Sequence, residues 1–569
     1  MTQLAQLDVA PAEAHTPSPT QVRRSSNYAL ALRIALALCL PVLLVGLMEA
    51  GLRVFSVGYS PDVTVPCTIR GNLADCYNLF FAAPFFPPGM IKTPQMYAIP
   101  AIKTAETFRI VILGESAAMG DPDSSYGFSR YLDVMLRERY PNIKFEVFNT
   151  GSVAINSHVV LPIAEGLAKH QPDLFIIYSG NNEVVGPYGP GTVLTTGGMS
   201  LPVIRASIFY HSTRTGQLIT QLGTPKREWG GMAMFMDKQA RASSPLMQHV
   251  YANYEQNLRE TIDVARKSGA RVIVSTVATN LEDCAPFASL HRENLTADEL
   301  RSWTAFFQQG VALESAGSYA EALKLYNSAL AIDAEYAELE FRIARSLRAL
   351  GDNAKAKEHF VRARDLDTLR FRADSKINDI NRSVALSSQG VELVDADSLF
   401  SAAAREGITN SDLIYEHVHL TPRGNYVLAQ ALFADIAKQL PVAPGDAVKV
   451  PDAPSEADCE RWLAFTKHDH ARISAEMLRR LQQPPFTNQI NHSEQLLRMM
   501  AKSEDKTEMP EDTAAQYQSA IARKPDDRIL HFNYGVFLTP YNPAAAEQEL
   551  SAARAFDGFP VVTPDGQVH

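Results

Sequence analysis

"RIVILGESAAMG" occupies residues 109–120, where an apolar run leads into a polar turn with Ser116 at the bend. A short run rich in Val and Ile that ends at glycine is typical of a β-strand buried on both faces. Four more such runs follow, separated by helical patterns: "KFEVFN" (144–149), "DLFIIYS" (173–179), "RVIVSTV" (271–277) and "VELVDA" (391–396). Strands that alternate with helices predict an α/β domain with a parallel sheet covered on both faces.

A helix is predicted to close this domain at "TPRGNYVLAQALFADIAKQL", which begins at residue 421. Thr421 suits the N-cap and Pro422 suits the first helical position. Leu428, Leu432 and Ile436 recur at helical spacing and form an apolar stripe. We therefore expect the domain to end with this helix.

Length and charge limit the classes of function. A chain of 569 residues exceeds what one hydrophobic core usually organises, so two or three domains are expected. The formal net charge of −10 gives no basis for nucleic-acid binding, which needs a basic surface. His211 and His291 have no ligand-like neighbours in the sequence, and we predict neither a metal nor another cofactor.

The N-terminal region has the pattern of a membrane anchor. Residues 1–27 are polar and are predicted to form a disordered cytoplasmic tail, whereas residues 28–50 are mostly apolar. About 20 apolar residues span a bilayer as a helix. Arg23, Arg24 and Arg33 precede the apolar core, which indicates a cytoplasmic N-terminus. The rest of the chain would then be periplasmic, held at the inner (plasma) membrane by a single span. A cleaved signal peptide is the alternative.

Residues 51–105, which contain many prolines, are expected to form a stalk outside the membrane. Cys67 and Cys76 flank a short segment there and can form a disulfide if the compartment is oxidising. The other three cysteines are assigned no partner: Cys39 within the span, Cys284 and Cys459.

A repeat with a period of 34 residues interrupts the α/β pattern at residues 301–370. Five positions recur in one register: Leu313 and Leu347, Gly317 and Gly351, Ala322 and Ala356, Tyr326 and Phe360, Ala329 and Ala363. The period and the residue types resemble tetratricopeptide repeats. The resemblance implies an all-α insertion that offers a surface to a protein partner. Residues 455–569 carry a weaker form of the pattern and are predicted to form a helical C-terminal region.

Four polar segments are expected to meet at one edge of the sheet. Ser116 directly follows the first strand, and the other segments are "NTGSVAINSH" (149–158), "SGNNE" (179–183) and "YEHVHLTPRGN" (415–425). The carboxyl ends of parallel strands lie at one sheet edge, where open α/β sheets bind ligands. The sequence therefore predicts a single site built from these segments.

In this order, the four segments resemble the sequence blocks of the SGNH hydrolases, the GDSL-type esterases. The resemblance covers residues 107–280 and 385–440. It implies a three-layer α/β/α, flavodoxin-like fold for a domain made of residues 106–300 and 371–442. It implies that Ser116 is the nucleophile, His419 the base and Glu416 the acidic partner of that base.

The chemistry asks for the same residue types. A serine hydroxyl becomes a good nucleophile when a base takes its proton, and imidazole does this near neutral pH. A carboxylate three residues earlier on a bent loop can orient that imidazole. His419 has Glu416 at this position, whereas the rival base His417 has Ile414, so His419 is favoured.

The resemblance also implies an oxyanion hole made by the main-chain amides of Ser116 and Ala154 and the side-chain amide of Asn182. The family has a glycine where Ala154 stands, so Gly151 is the alternative donor if that position needs a positive φ. Three aspartates of the family pattern are glutamates here: Glu115, Glu183 and Glu416.

These features predict a membrane-anchored serine esterase that acts on acyl esters, either O-acyl groups on glycans or lipid esters. An O-acyltransferase with the same triad is an alternative, because only the acceptor of the acyl group differs. A catalytically silent scaffold that binds partners through its repeats is a second alternative. A Gly- and Pro-rich insert at 186–244 follows the Asn182 segment and either covers the site or packs on a core of its own.

Overall fold

Eight strands occur in the part of the chain that the computed structural model describes, which is residues 19–91, 95–223, 225–440, 451–504 and 509–554. Of the disordered tail predicted at residues 1–27, residues 1–18 lie outside this part. Residues 19–27 are helical instead, because the helix of the apolar segment begins at Pro19 and extends through them. The strands are β1 Thr64–Ile69, β2 Asn72–Tyr77, β3 Ala98–Pro100, β4 Thr107–Gly114, β5 Lys144–Asn149, β6 Leu174–Tyr178, β7 Arg271–Ser275 and β8 Val391–Val394.

The helices of the described residues fall into three groups along the chain. The first ten are α1 Pro19–Val54, α2 Ser116–Met119, α3 Phe128–Arg139, α4 Ser157–Ala168, α5 Leu201–Ser212, α6 Arg214–Gly223, α7 Pro245–Lys267, α8 Ala297–Ser315, α9 Tyr319–Ile332 and α10 Ala337–Ala349. The next four are α11 Asn353–Leu366, α12 Ser375–Ser387, α13 Ala396–Ala403 and α14 Pro422–Gln439. The C-terminal group is α15 Glu456–Trp462, α16 Lys467–Leu481, α17 His492–Glu504, α18 Pro510–Arg523, α19 Arg528–Leu538 and α20 Pro543–Arg554.

The central sheet is parallel and has the order β5-β4-β6-β7-β8. Counted along the chain within this sheet, the order is 2-1-3-4-5, which is that of flavodoxin-like doubly wound folds. Every residue of β4 and β6 is buried, so both faces of the sheet are covered. The five strands predicted from the sequence are confirmed, with ends that agree to within two residues.

Two sets of helices cover the sheet. α3 packs against α14, and α7 packs against both α4 and α12. The predicted closing helix is confirmed as α14, because Thr421 caps it by accepting a hydrogen bond from the Gly424 amide. Its apolar stripe is fully buried: Leu428, Leu432 and Ile436.

The segment predicted to be a stalk is folded instead. β1, β2 and β3 form an antiparallel sheet, and a disulfide joins Cys67 to Cys76 within it. Phe85 and Ile99 from this segment are buried in the same apolar core as the central sheet. Its prolines misled the prediction, because proline is tolerated on edge strands, and Pro66 and Pro100 lie on the two edge strands here.

The predicted repeats are helical. α8 pairs with α9 and α10 pairs with α11, which makes two successive helical hairpins. The repeating small and aromatic positions are buried: Ala322, Tyr326, Ala329, Ala356, Phe360 and Ala363. Gly317 and Gly351 both adopt a positive φ directly after the first helix of each hairpin. The assignment of these hairpins to the tetratricopeptide family stays a prediction.

The described chain divides into two compact units. One contains the described residues up to Tyr59 together with Phe209–Gly223, and the other contains the rest. In the first unit, the part of α1 from Tyr28 to Val54 contains an 18-residue stretch with a mean hydropathy of 2.5. By length and composition, this helix is long and apolar enough for a membrane anchor or a signal sequence. The insert at 186–244 contributes α5, α6 and a short 3-10 helix, Gly231–Phe235.

Candidate active site

Ser116 lies in the sharp turn between β4 and α2. Gly114 ends β4 with a φ of +158°, and a Cβ there would lie 2.1 Å from the carbonyl oxygen of Tyr178 on the neighbouring strand. Only glycine fits between strands at this point. The chain then turns at Glu115 and enters α2 at Ser116, which is 8% exposed. The serine hydroxyl is thus held at the carboxyl edge of the sheet, where the sequence predicted it.

The structure brings His419 to Ser116 although the two residues are 303 positions apart. The Nε2 atom of His419 is 2.8 Å from the hydroxyl oxygen of Ser116. On its other side, the Nδ1 atom of His419 is within hydrogen-bond distance of the Glu416 carboxylate. The loop is closed by a hydrogen bond of 2.8 Å from the Tyr415 amide to the His419 carbonyl oxygen, which turns Glu416 towards the imidazole.

Glu416 is held as a carboxylate. Its Oε2 atom accepts hydrogen bonds from the main-chain amides of Val418 at 3.0 Å and His419 at 3.2 Å, and from the amide of His417. Burial acts to raise its pKa, but the imidazoles of His417 and His419 and these hydrogen bonds hold the pKa well below its usual range. An ionised carboxylate can therefore orient His419 at neutral pH.

The pKa of His419 is raised above its ordinary value. Burial alone would lower it, yet the Glu416 and Asp121 carboxylates raise it by more. His417 differs, because burial lowers its pKa. Its ring packs edge-on against Phe287, 5.7 Å between ring centroids, and Phe371 and Phe486 are also in contact. His419 is therefore the imidazole that contacts Ser116, and His417 lies in an aromatic pocket beside it.

The three predicted oxyanion donors lie on loops that follow β4, β5 and β6. In the described part of the chain, the main-chain amides of Ser116 and Ala154 have no hydrogen-bond acceptor within the protein. One N–H of the Asn182 amide donates to the Ile155 carbonyl oxygen at 3.0 Å, which anchors the half-buried side chain beside the Ala154 loop. The alternative donor Gly151 is excluded, because its amide donates to Asn149 Oδ1 at 3.0 Å.

Ala154 has a φ of +61°, in the left-handed region. This is the conformation for which a glycine would be favoured, and it costs an alanine roughly 1 kcal/mol. The surrounding fold therefore holds the Ala154 loop in a conformation that its own side chain disfavours.

Two buried glutamates, Glu115 and Glu183, brace the loops of the site. Glu115 accepts hydrogen bonds from the Ser179 hydroxyl at 2.8 Å and from the amides of Gly180 at 2.8 Å and Asn181 at 3.2 Å. Burial raises its pKa to about 7, against the opposing effect of these hydrogen bonds. Glu115 thus ties the turn that carries Ser116 to the loop that carries Asn182.

Glu183 braces the neighbouring loop in a similar way. It accepts hydrogen bonds from the Ser157 amide at 2.8 Å and from the Ser157 hydroxyl at 2.7 Å. The first of these bonds satisfies one of the free amides in the first turn of α4. Burial raises the pKa of the Glu183 carboxyl to about 8. The longer glutamate side chains therefore find complete sets of partners in this fold.

The sequence did not point to two charged residues at the site. Asp121 Oδ2 lies 3.2 Å from His419 Nε2, on the side of the imidazole that faces Ser116. Arg480 of α16 pairs with Asp121, with Nη2 3.1 Å from Oδ1. Asp121 could have been found from its place five residues after Ser116 in the same turn. Arg480 carries no local signal, because it comes from the C-terminal helices and reaches the site only through tertiary packing.

One group of side chains in the described residues has a spacing that would suit a metal ion. Glu416, His417 and His419 offer ligand atoms within 4.8 Å of one another. The Glu416 oxygens already accept hydrogen bonds from three amides and from His419. A metal would have to break the contact between Glu416 and His419, so the arrangement fits acid–base chemistry better than metal binding.

Comparisons with known proteins give structural likeness alone. No protein-family model matches the chain, and no curated protein matches it. Similar solved structures include the acetyl xylan esterase AlAXEase, with a TM-score of 0.27, 10% identity and coverage of 58% of this chain and 100% of that one. LAE5, an alpha/beta hydrolase enzyme from the metagenome of Lake Arreo, Spain, has a TM-score of 0.27, 12% identity and coverage of 57% and 94%. A catalytic mutant of Axe2, an acetylxylan esterase from Geobacillus stearothermophilus, has a TM-score of 0.27, 11% identity and coverage of 59% and 96%.

Proposed function

We propose that this protein is a serine esterase of the SGNH type, with Ser116 as nucleophile, His419 as base and Glu416 as the acid that orients the base. The observation that carries the proposal is the chain of contacts from Ser116 Oγ through His419 to Glu416, formed by segments 303 residues apart. A serine, a histidine or a glutamate that lies alone at a strand end can be explained by a structural role, such as capping a helix or bracing a turn. A buried set in this order, with an ionised acid at its far end, is what nucleophilic catalysis requires.

The reaction proceeds through an acyl-enzyme. His419 Nε2 takes the proton of the Ser116 hydroxyl as its oxygen attacks the ester carbonyl carbon. Glu416 stabilises the imidazolium that forms, and the amides of Ser116, Ala154 and Asn182 stabilise the charge on the carbonyl oxygen. The imidazolium then gives its proton to the departing alcohol. A water molecule then attacks the acyl carbon as His419 takes its proton. The bond between the acyl carbon and Ser116 Oγ breaks, the imidazolium returns its proton to Oγ, and the carboxylic acid is released.

The enzyme is proposed to work on acyl esters outside the cytoplasm, either O-acyl groups on glycans or lipid esters, while α1 anchors it to the membrane with its N-terminus inside. The disulfide between Cys67 and Cys76 supports this location, because structural disulfides persist in oxidising compartments. The helical hairpins α8–α11 are proposed to be tetratricopeptide repeats that bind a protein partner.

The test is hydrolysis of p-nitrophenyl acetate and longer acyl esters by the full chain in detergent, with intact-mass analysis after a fluorophosphonate probe. Ser116→Ala should lower the rate by at least about 10³-fold and abolish labelling. The matched control is Ser275→Ala. Ser275 is a buried serine at the end of β7, but its hydroxyl donates to the Thr276 carbonyl oxygen at 2.8 Å.

Each outcome has a defined meaning. Turnover and labelling that survive in Ser275→Ala and vanish in Ser116→Ala support the proposal. Labelling of Ser116 without turnover would point to acyl transfer to an alcohol acceptor in place of water. A folded protein with neither labelling nor turnover would overturn the enzymatic proposal.

A further inference from the structure

Apolar side chains are exposed on the unit that contains α1. Phe209 is 74% exposed and Leu222 is 81% exposed. We call the exposed set on α5, α6 and the end of α1 the apolar patch: Val54, Phe55, Phe209, Tyr210, Ile219 and Leu222. Large exposed apolar surfaces mark sites that contact another protein or a membrane.

Helix α6 is fastened to α1 by polar contacts. The Glu49 carboxylate of α1 accepts hydrogen bonds from the amides of Arg214 at 3.1 Å and Thr215 at 2.9 Å, and from the Thr215 hydroxyl at 3.0 Å. Glu49 therefore caps the N-terminus of α6, where free amides and the helix dipole favour a negative charge. A hydrogen bond of 2.9 Å from the Tyr59 amide to Gln217 adds a second attachment.

The position of Glu49 along α1 determines how deep the N-terminus of α6 lies relative to the bilayer. The apolar part of α1, Tyr28–Val54, has 27 residues and is about 40 Å long at 1.5 Å per residue. The hydrocarbon core of a bilayer is about 30 Å thick and takes about 20 residues. Counted from Tyr28, the core ends near Met48, so Glu49 lies where hydrocarbon gives way to headgroups. Leu222 lies eight residues beyond Arg214, about 12 Å along α6.

The apolar side chains of α6 lie on the same face as its contact with α1. Ile219 and Leu222 are four and seven residues beyond Thr215, so they continue the helix face that meets Glu49. Phe209 and Tyr210 add aromatic rings at the end of α5. Tyrosine is enriched at membrane interfaces, where part of the side chain is in an apolar environment and its hydroxyl is in water. Phenylalanine and leucine are typical of the apolar face of interfacial helices.

We propose that the segment Phe209–Gly223 lies in the interface between membrane and water, on the periplasmic side of the membrane that α1 spans. Phe209, Ile219 and Leu222 are then in contact with lipid. The segment is then a second membrane contact beside α1. The inference rests on the membrane anchoring of the proposed function. A helix that presents one apolar face while its ends stay polar lies in the interface plane rather than crossing the bilayer.

Site-specific photocrosslinking tests this in the full chain, reconstituted in nanodiscs of phosphatidylethanolamine and phosphatidylglycerol. The photoreactive residue p-benzoylphenylalanine replaces Leu222 in one protein and Phe209 in another, and lipid adducts are measured by intact mass. Leu38, which is 67% exposed in the apolar helix, is the control for anchoring. Leu386 of α12 is the matched control for non-specific labelling, because it is 77% exposed and lies in the other unit.

We expect lipid adducts at Leu38, Leu222 and Phe209, at least tenfold above those at Leu386. If Leu38 forms adducts while Leu222 and Phe209 stay at the level of Leu386, the interfacial contact is refuted and the anchoring stands. If Leu38 also stays at that level, α1 does not span the membrane, and both the anchoring and the inference fail.

Discussion

Neutral replacements of Asp121 and Arg480 should shift the pH dependence of esterase activity in opposite directions. As the proposed base, His419 must be neutral to take the proton of Ser116, so the acidic limb of kcat/KM should report its pKa in the free enzyme. The Asp121 carboxylate favours the imidazolium and raises this pKa, whereas Arg480 lowers it. Asp121→Asn should therefore shift the acidic limb to lower pH, and Arg480→Gln should shift it to higher pH.

The size of the shift follows from the distance. At 3.2 Å and an effective dielectric constant of about 20, the attraction between Asp121 and the imidazolium is about 5 kcal/mol. That corresponds to almost 4 units of pKa at about 1.4 kcal/mol per unit. Arg480 neutralises part of the charge on Asp121, so we expect about 1–3 units for Asp121→Asn. Arg480→Gln should move the limb by about 1 unit, because its charge lies beyond Asp121.

The assay is kcat/KM for a p-nitrophenyl ester from pH 4.5 to 9, with thermal unfolding of each variant as a check on folding. Glu476→Gln is the control, because Glu476 binds Arg480 Nε at 2.7 Å without contacting His419. It separates a loosened α16 from a changed charge at the site. An unchanged acidic limb in Asp121→Asn, or shifts of the same sign in both variants, would refute the electrostatic role.

Three further results are expected. Ala154→Gly should keep esterase activity and unfold at a higher temperature, because glycine removes roughly 1 kcal/mol of backbone strain at the φ of +61°. Ala154→Val should lower kcat at least tenfold, because a β-branched residue strongly disfavours this conformation. Thermal unfolding and ester kinetics measure the two effects. The pKa of Glu183 is about 8 in the folded protein and ordinarily 4.5, so the free energy of unfolding should fall as pH rises from about 5 to 8, and urea unfolding of Glu183→Gln should show a flatter profile. Reduction of the disulfide, or replacement of Cys67 and Cys76 by serine, should lower the free energy of unfolding by about 2–3 kcal/mol, because the bond closes a loop with a sequence separation of 9. The measurement is thermal unfolding with and without a reducing agent, and equal unfolding temperatures would show that the bond does not form.

Much of the α/β fold could be predicted because its signals are local. Each strand of the central sheet is a short apolar run, and α14 has its cap and its stripe within twenty residues. The rule that carboxyl ends of parallel strands share one edge then brings Ser116 and Asn182 towards one place. The contact between Glu416 and His419 could be predicted too, because the two residues lie in the same bent loop.

Other features have no local signal. The prolines suggested an extended stalk at residues 51–105, but apolar residues of this segment, such as Phe85 and Ile99, pack on the core of the central sheet. The spacing of apolar residues within the segment does not show which other part of the chain it packs against. The hydrogen bonds of Glu49 to α6 likewise join elements about 165 residues apart.

The sequence by itself determined the strands, the helices and the residue types of the site, because hydrophobic periodicity and turn chemistry act over a few residues. Only the tertiary structure decided that the turn of Ser116 meets the loop of His419 and that Arg480 of α16 reaches Asp121. Such contacts depend on how whole helices and loops pack. This packing is determined by the summed burial of many side chains. A local sequence motif therefore does not predict which distant residue an individual side chain will contact.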